Sequence, residues 1–142
     1  MKHLSLENSD AIVLLSILYA SEFGIKKVNI QNLIANFDYI EHAIVNYEEL
    51  SGALCRLNEN LYIIEVEKLE FLPTDIILDN FNKFKIQNRN INIRKTLEFI
   101  RELINAKEWD SNFDYIKGNE SRNYVGLDRE IYQLACTNYL GT

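Results

Sequence analysis

The stretch Asn46 to Thr74, NYEELSGALCRLNENLYIIEVEKLEFLPT, admits one local reading: a capped helix running into a tight two-stranded hairpin. Asn46 can accept a hydrogen bond from an orphan N–H of the first turn while Glu49 reaches back to the cap, a variant of the capping box with Asn in place of Ser or Thr. Leu50, Leu54, Leu57 and Leu61 then recur at i, i+4, i+7 and i+11, a core-facing stripe at helical period. Asn60 tolerates the left-handed conformation found just beyond a helix, so the helix is expected to stop near Asn58 or Glu59. Tyr62 to Val66 is rich in β-branched and aromatic residues, Glu67 and Lys68 form a polar tip, and Leu69 to Leu72 returns as a second short strand ended by Pro73.

The remaining chain reads as helices around this unit. Ser9 or Asn8 caps a helix with Asp10 in its first turn, where a negative charge suits the dipole. Ala11 to Phe23 is apolar on most sides, which predicts the central buried helix, closed by Gly24. Ile25 to Val28 is a short link able to pair as a strand edge, and a second helix starts after Asn29 with Ile30, Leu33, Ile34 and Phe37 on one face. Asp38 to Val45 reads equally as its continuation or as a separate turn. After Pro73, Thr74 caps a helix carrying Ile77, Phe81 and Phe84 that is expected to lie against the first helix. Gln87 to Asn92 is a polar linker, and Ile93, Leu97, Ile100 and Ile104 form the stripe of the next helix. Trp109 to Arg122 reads as a loop pinned by Trp109, Phe113 and Tyr115. A last helix, about Asp128 to Leu140, places Ile131, Leu134 and Ala135 inward and ends at Gly141.

The order helix, link, helix, turn, capped helix, hairpin resembles the winged helix-turn-helix superfamily over roughly residues 10–74. The resemblance rests on the run L-x-x-L-N-E-N-L-Y-I-I into a hairpin closed by F-L-P-T, behind N-I-Q-N-L-I-A. It implies that Asn46 to Glu59 takes the place of a recognition helix and Tyr62 to Leu72 that of a wing. The longer Phe37 to Val45 stretch, where a short turn is usual, departs from the pattern. The fold class expected is mainly α with a small antiparallel β-hairpin. Residues 1–75 would form a winged-helix-like core and 76–142 a C-terminal helical extension packed on it, one compact domain overall.

DNA binding is the function that such a resemblance first suggests, and charge argues against it. The candidate recognition helix holds Glu48, Glu49 and Glu59 against a lone Arg56, and the candidate wing holds Glu65, Glu67 and Glu70 against Lys68. Specific DNA binders neutralise several phosphates with Lys and Arg, so these surfaces would repel a duplex. The net charge of −6 is unevenly spread: residues 1–82 are net −8, residues 83–107 net +5. Lys83, Lys85, Arg89, Arg94, Lys95, Arg101 and Lys107 make that middle segment basic. They can meet a polyanion, the acidic remainder of the chain or a second copy.

Protein contact is therefore the favoured use of the fold, with a transcriptional regulator meeting DNA through the basic segment as the alternative. Ser51, Gly52 and Ala53 are consecutive small residues, and a mid-helix glycine costs about 1 kcal/mol relative to alanine, which invites close approach by another helix, within the chain or from a partner. Ser51, Gly52 and Arg56 are the candidate contact residues there, and Tyr132 and Tyr139 those of the last helix, where Cys136 and Leu140 also lie off the main stripe. The partner would be another protein or a second copy.

Catalysis finds no foothold. His3 and His42 lack a metal-ligand spacing with cysteine, and there is no C-x-x-C, H-E-x-x-H, phosphate-binding glycine loop or nucleophile elbow. Asp38, Glu41 and His42 share a helical turn and could hold a metal or act as a base, or form an exposed ion pair. Cys55 and Cys136 read as buried structural thiols. No cofactor is expected. With no apolar run near the ~20 residues of a membrane span, no signal-peptide order in residues 1–10 and no disulfide framework, a soluble protein of the reducing cytoplasm is expected.

Overall fold

The computed structural model describes residues 6–22, 24–106 and 123–141. It is mainly helical with a two-stranded antiparallel hairpin: α1 (Asn8–Glu22), α2 (Ile30–Glu41), α3 (Tyr47–Glu59), β1 (Ile63–Glu67), β2 (Glu70–Pro73), α4 (Asp75–Gln87), α5 (Ile93–Ile104) and α6 (Arg129–Leu140). The loop expected around Trp109, Phe113 and Tyr115, and Lys107, lie outside the described residues.

α1 is the central helix, because ten of its fifteen residues are buried and α2, α3 and α5 all pack on it. Gly24, at φ +85°, supplies the left-handed turn after it. α2 opens on a reciprocal box in which Asn29 and Asn32 each accept the other's backbone N–H. The ambiguous stretch after Phe37 resolves as a continuation to Glu41, and His42 in the left-handed region (φ 57°) ends the helix. The link before α2 does pair: Val28 exchanges two backbone hydrogen bonds with Phe71 of β2, at 3.0 and 2.9 Å.

α3 starts as its sequence predicts, with Asn46 Oδ1 accepting from the Glu49 amide at 2.8 Å. It ends at Glu59, as expected, but the left-handed residue beyond it falls one position later. Asn60 stays right of the left-handed region at φ −86°, and Leu61 takes φ +61°. The Leu61 amide bonds to the carbonyl of Asn58 and that of Tyr62 to Leu57, the paired closure of a Schellman motif with leucine where glycine is usual. Leu61 therefore leaves the leucine stripe: Leu50, Leu54 and Leu57 are fully buried, whereas Leu61 is 73% exposed.

In the hairpin, Ile63 pairs with Pro73, Ile64 with Leu72 and Glu65 with Phe71, and a bulge falls between Glu65 and Glu67. The turn sits one residue later than the sequence suggests. Lys68 and Leu69 form it, and Leu69, at φ +56°, is buried with its amide bonded to Glu65 Oε2 at 2.6 Å. The Thr74 side chain makes no cap bond to α4; its hydroxyl donates instead to the carbonyl of Leu61 at 2.9 Å, with that of Tyr62 at 3.2 Å, tying the hairpin's two ends together.

Of α4 and α5, it is α5 that packs against α1, alongside α2 and α3. α4 buries only Ile77 and Phe81, stacks Phe84 on Phe99 of α5 (centroids 4.2 Å, 8° between planes), and reaches α1 through the Lys85–Glu22 ion pair. The last helix is turned about its axis relative to expectation. Tyr132 and Cys136 are buried, Ile131 and Ala135 half-buried, and Leu134 and Leu140 exposed. The reason is that the Tyr132 hydroxyl has a carbonyl to reach, that of Val45 at 2.6 Å, while its ring packs edge-on against Tyr47.

Candidate interaction surfaces

Arg56 does not face outward from α3. Its Nε and Nη2 donate to Oδ2 and Oδ1 of Asp10 at 2.6 and 2.8 Å, a bidentate pair joining α3 to α1, with Asp10 fully buried and Arg56 nearly so. Asp10 Oδ2 also accepts the Glu7 amide at 2.8 Å. Burial pushes the Asp10 carboxyl above its ordinary value against the pull of Arg56 and the Glu7 amide. Burial pulls Arg56 down, and the hydrogen bonds and charge of Asp10, with Glu7 behind it, more than offset this. Asp10 thus serves less as a dipole acid than as the counter-ion of a buried cation.

Gly52 belongs to the same arrangement. A Cβ built on it would stand 3.0 Å from both Nη1 and Nη2 of Arg56, so the missing side chain is the space the guanidinium occupies. Close approach happens here, but within the helix, from the residue one turn on. Ser51 is buried too, and its Oγ accepts the Tyr124 amide at 2.7 Å.

Tyr124 opens the segment 123–141, whose first residues lie on the start of α3 and whose helix packs on α2. The Tyr124 hydroxyl donates to Glu65 Oε1 at 2.6 Å while its ring lies edge-on to Phe71. The Tyr47 hydroxyl donates to the Leu127 carbonyl at 2.7 Å, and Arg129 pairs with Glu48 while lying 4.7 Å over the Tyr47 ring. The Tyr139 hydroxyl donates to Asp38 Oδ2 at 2.7 Å, engaging one member of the Asp38, Glu41, His42 trio. Burial, then the Glu65 carboxylate, raises the Tyr124 phenol; burial, then Cys136, raises that of Tyr132. Of the thirteen α3 residues only Glu59 is exposed and Glu48, Glu49, Cys55 and Asn58 are half-buried, so the helix presents little surface.

The candidate contact residues therefore divide. Ser51, Gly52, Arg56 and Tyr132 are buried and Tyr139 is half-buried on Asp38, so none offers an open surface. Among the basic residues, Lys85 is engaged by Glu22 and Arg101 donates to Asn8 Oδ1 at 2.9 Å. Lys83, Arg89, Arg94 and Lys95 are exposed around the α4–α5 corner and form no ion pair among the described residues. Cys136 is buried as expected, but Cys55 is only half-buried. Among the described residues no three His, Cys, Asp or Glu side chains are grouped to hold a metal, and no helix is long and apolar enough to cross a membrane.

The sequence reading passed over the apolar residues that do reach the surface. Ile64 and Val66 on β1 are 50% and 40% exposed, beside the half-buried Leu72 that pairs with Ile64. Leu61 and Ile76, at the two ends joined through Thr74, are also exposed. The signal was the strand period itself: Ile63, Phe71 and Pro73 point to the core, so Ile64, Val66 and Leu72 must point away from it. No protein-family model matches the chain, and no curated protein or solved structure matches it either.

Proposed function

We propose that this chain is a non-catalytic, winged-helix-like binding module that meets a protein partner on the outer face of its hairpin. The observation that carries the reading is the exposure of Ile64 and Val66 on a strand whose other face is core, next to a helix that is mostly buried. Two β-branched side chains flanked by Leu61, Leu72 and Ile76 give an apolar centre, and centres of this kind rimmed by polar residues mark contact sites. The hairpin lies in the half of the chain that is net −8, which favours a partner whose rim is basic and disfavours a duplex. The test uses the whole chain as bait beside an Ile64→Asp, Val66→Asp variant. Proteins held by the first and released by the second support the reading, and proteins held equally by both overturn it.

A second reading has its own observation. Lys83, Arg89, Arg94 and Lys95 form an exposed cationic corner, and α5 carries no acid in its first turn to balance Arg94 and Lys95. A nucleic-acid backbone could be met there, as a transcriptional regulator would require.

A further inference from the structure

α4 has two faces, and only one is used within the chain. Ile77 and Phe81 are buried and Phe84 stacks on Phe99. The opposite face carries Ile76, Asp79, Lys83 and Ile86, all exposed, with Ile76 at 65% and Ile86 at 81%. These four recur at i, i+3, i+7 and i+10, the spacing of a coiled-coil seam, which places them on one line along the helix. None of the four is engaged in a side-chain hydrogen bond or ion pair among the described residues.

The order along the line is apolar, acid, base, apolar, and it is self-complementary when reversed. We infer that α4 docks antiparallel on α4 of a second copy, about a two-fold axis passing near Phe81. In that register Ile76 of each copy meets Ile86 of the other, and Asp79 of each meets Lys83 of the other. One patch serves both sides, as a closed two-fold dimer requires. A parallel pairing would set Asp79 against Asp79 and Lys83 against Lys83, so the charges choose the direction. The occupant is a second copy because no unrelated surface is required to carry this order and spacing, whereas the chain's own α4 does.

The seam is short. From Ile76 to Ile86 it spans about 15 Å at the helical rise, with two isoleucines per copy, well under the ~800 Å² per partner of a standard interface. The dimer is accordingly weak and salt-sensitive, and the Phe84–Phe99 stack and the Lys85–Glu22 pair hold α4 as a fixed platform for it. This inference goes beyond the hairpin reading; Ile76 borders both surfaces, but the two tests change different residues, Ile64 and Val66 in one and Asp79 and Lys83 in the other, so the failure of one is distinguishable from the failure of the other.

The experiment is sedimentation equilibrium of the intact chain, at low and at moderate salt, with charge reversals at exposed positions that leave the fold undisturbed. Asp79→Lys and Lys83→Asp should each weaken self-association about tenfold or more, since each turns two attractive pairs into two repulsive ones. The double variant Asp79→Lys, Lys83→Asp should restore it. An equimolar mixture of the two single variants should also associate, because one copy then presents two lysines and the other two aspartates. Circular dichroism confirms that each variant is folded. A wild-type chain that stays monomeric at the highest attainable concentration overturns the inference. So do single reversals without effect, or a mixture of single variants that remains monomeric.

Discussion

Arg56 and Asp10, forty-six residues apart, hold each other through two hydrogen bonds of 2.6 and 2.8 Å across the contact of α3 with α1. Breaking a buried pair from one side leaves a charge without its partner, which costs about 3–5 kcal/mol. Asp10→Asn keeps an acceptor for the Glu7 amide but strands the guanidinium, and Arg56→Met strands the carboxylate. Each is expected to lose about 3 kcal/mol or more in urea unfolding, while the double variant recovers most of that loss. A strictly additive cycle would show that the pair does not bind α1 to α3.

Gly52→Ala tests the space above Arg56. Alanine should favour the helix by about 1 kcal/mol, but its Cβ would meet both terminal nitrogens at 3.0 Å, and the guanidinium is pinned by Asp10 rather than free to swing. The expected net effect is a loss of about 1–2 kcal/mol. In an Arg56→Ala background the obstruction is gone and the same substitution should stabilise by about 1 kcal/mol. The change of sign, read from paired denaturation curves, is the diagnostic result.

Alkaline pH should loosen the cover on α3. The phenols of Tyr124 and Tyr132 are held above the ordinary value of 10.0. The folded chain thus keeps protons that the unfolded chain sheds. Their contribution to stability is complete below pH 10 and is lost as pH rises through the folded values, at up to ~1.4 kcal/mol per pH unit per tyrosine. Unfolding midpoints measured across this range should fall with pH, and less steeply in the Tyr124→Phe, Tyr132→Phe variant. An equal slope in both chains would contradict the assignment.

Leu61→Gly should stabilise. Leu61 closes α3 at φ +61° with its side chain in solvent, so glycine relieves a left-handed strain of about 1–2 kcal/mol while removing little packing. After the extra freedom of glycine in the unfolded chain, a gain of about 0.5–1 kcal/mol is expected. A loss on thermal unfolding would mean that the exposed leucine does more than its position indicates.

What the sequence made legible was local. Asn29, Asn46, Asn92 and Asp128 stand one residue before their helices and cap them within three residues, a local signal that gave the starts of α2 and α3 directly and those of α5 and α6 approximately. The hairpin followed from its β-branched run, and the leucine stripe of α3 from its period. What it hid was tertiary. Asp10 and Arg56 look like two surface charges until the fold brings α1 and α3 together. Gly52 reads as room for close approach, within the chain or from a partner, and Arg56 one turn later fills it. α6 has apolar residues on both sides, so its pattern could not choose a face; the carbonyl of Val45 waiting for the Tyr132 hydroxyl did. The exposed faces of β1 and α4 were readable by subtraction, as whatever the core-facing residues left over.

The proposed reading is that this chain meets a protein and no duplex, with α3 largely covered by residues of its own chain. Titration of mixed-sequence duplex DNA at low and at moderate salt tests it most directly. No complex is expected at either. Binding with a steep salt dependence, abolished by Arg94→Glu, Lys95→Glu and Arg101→Glu, would contradict it and make the cationic corner the working surface of the protein.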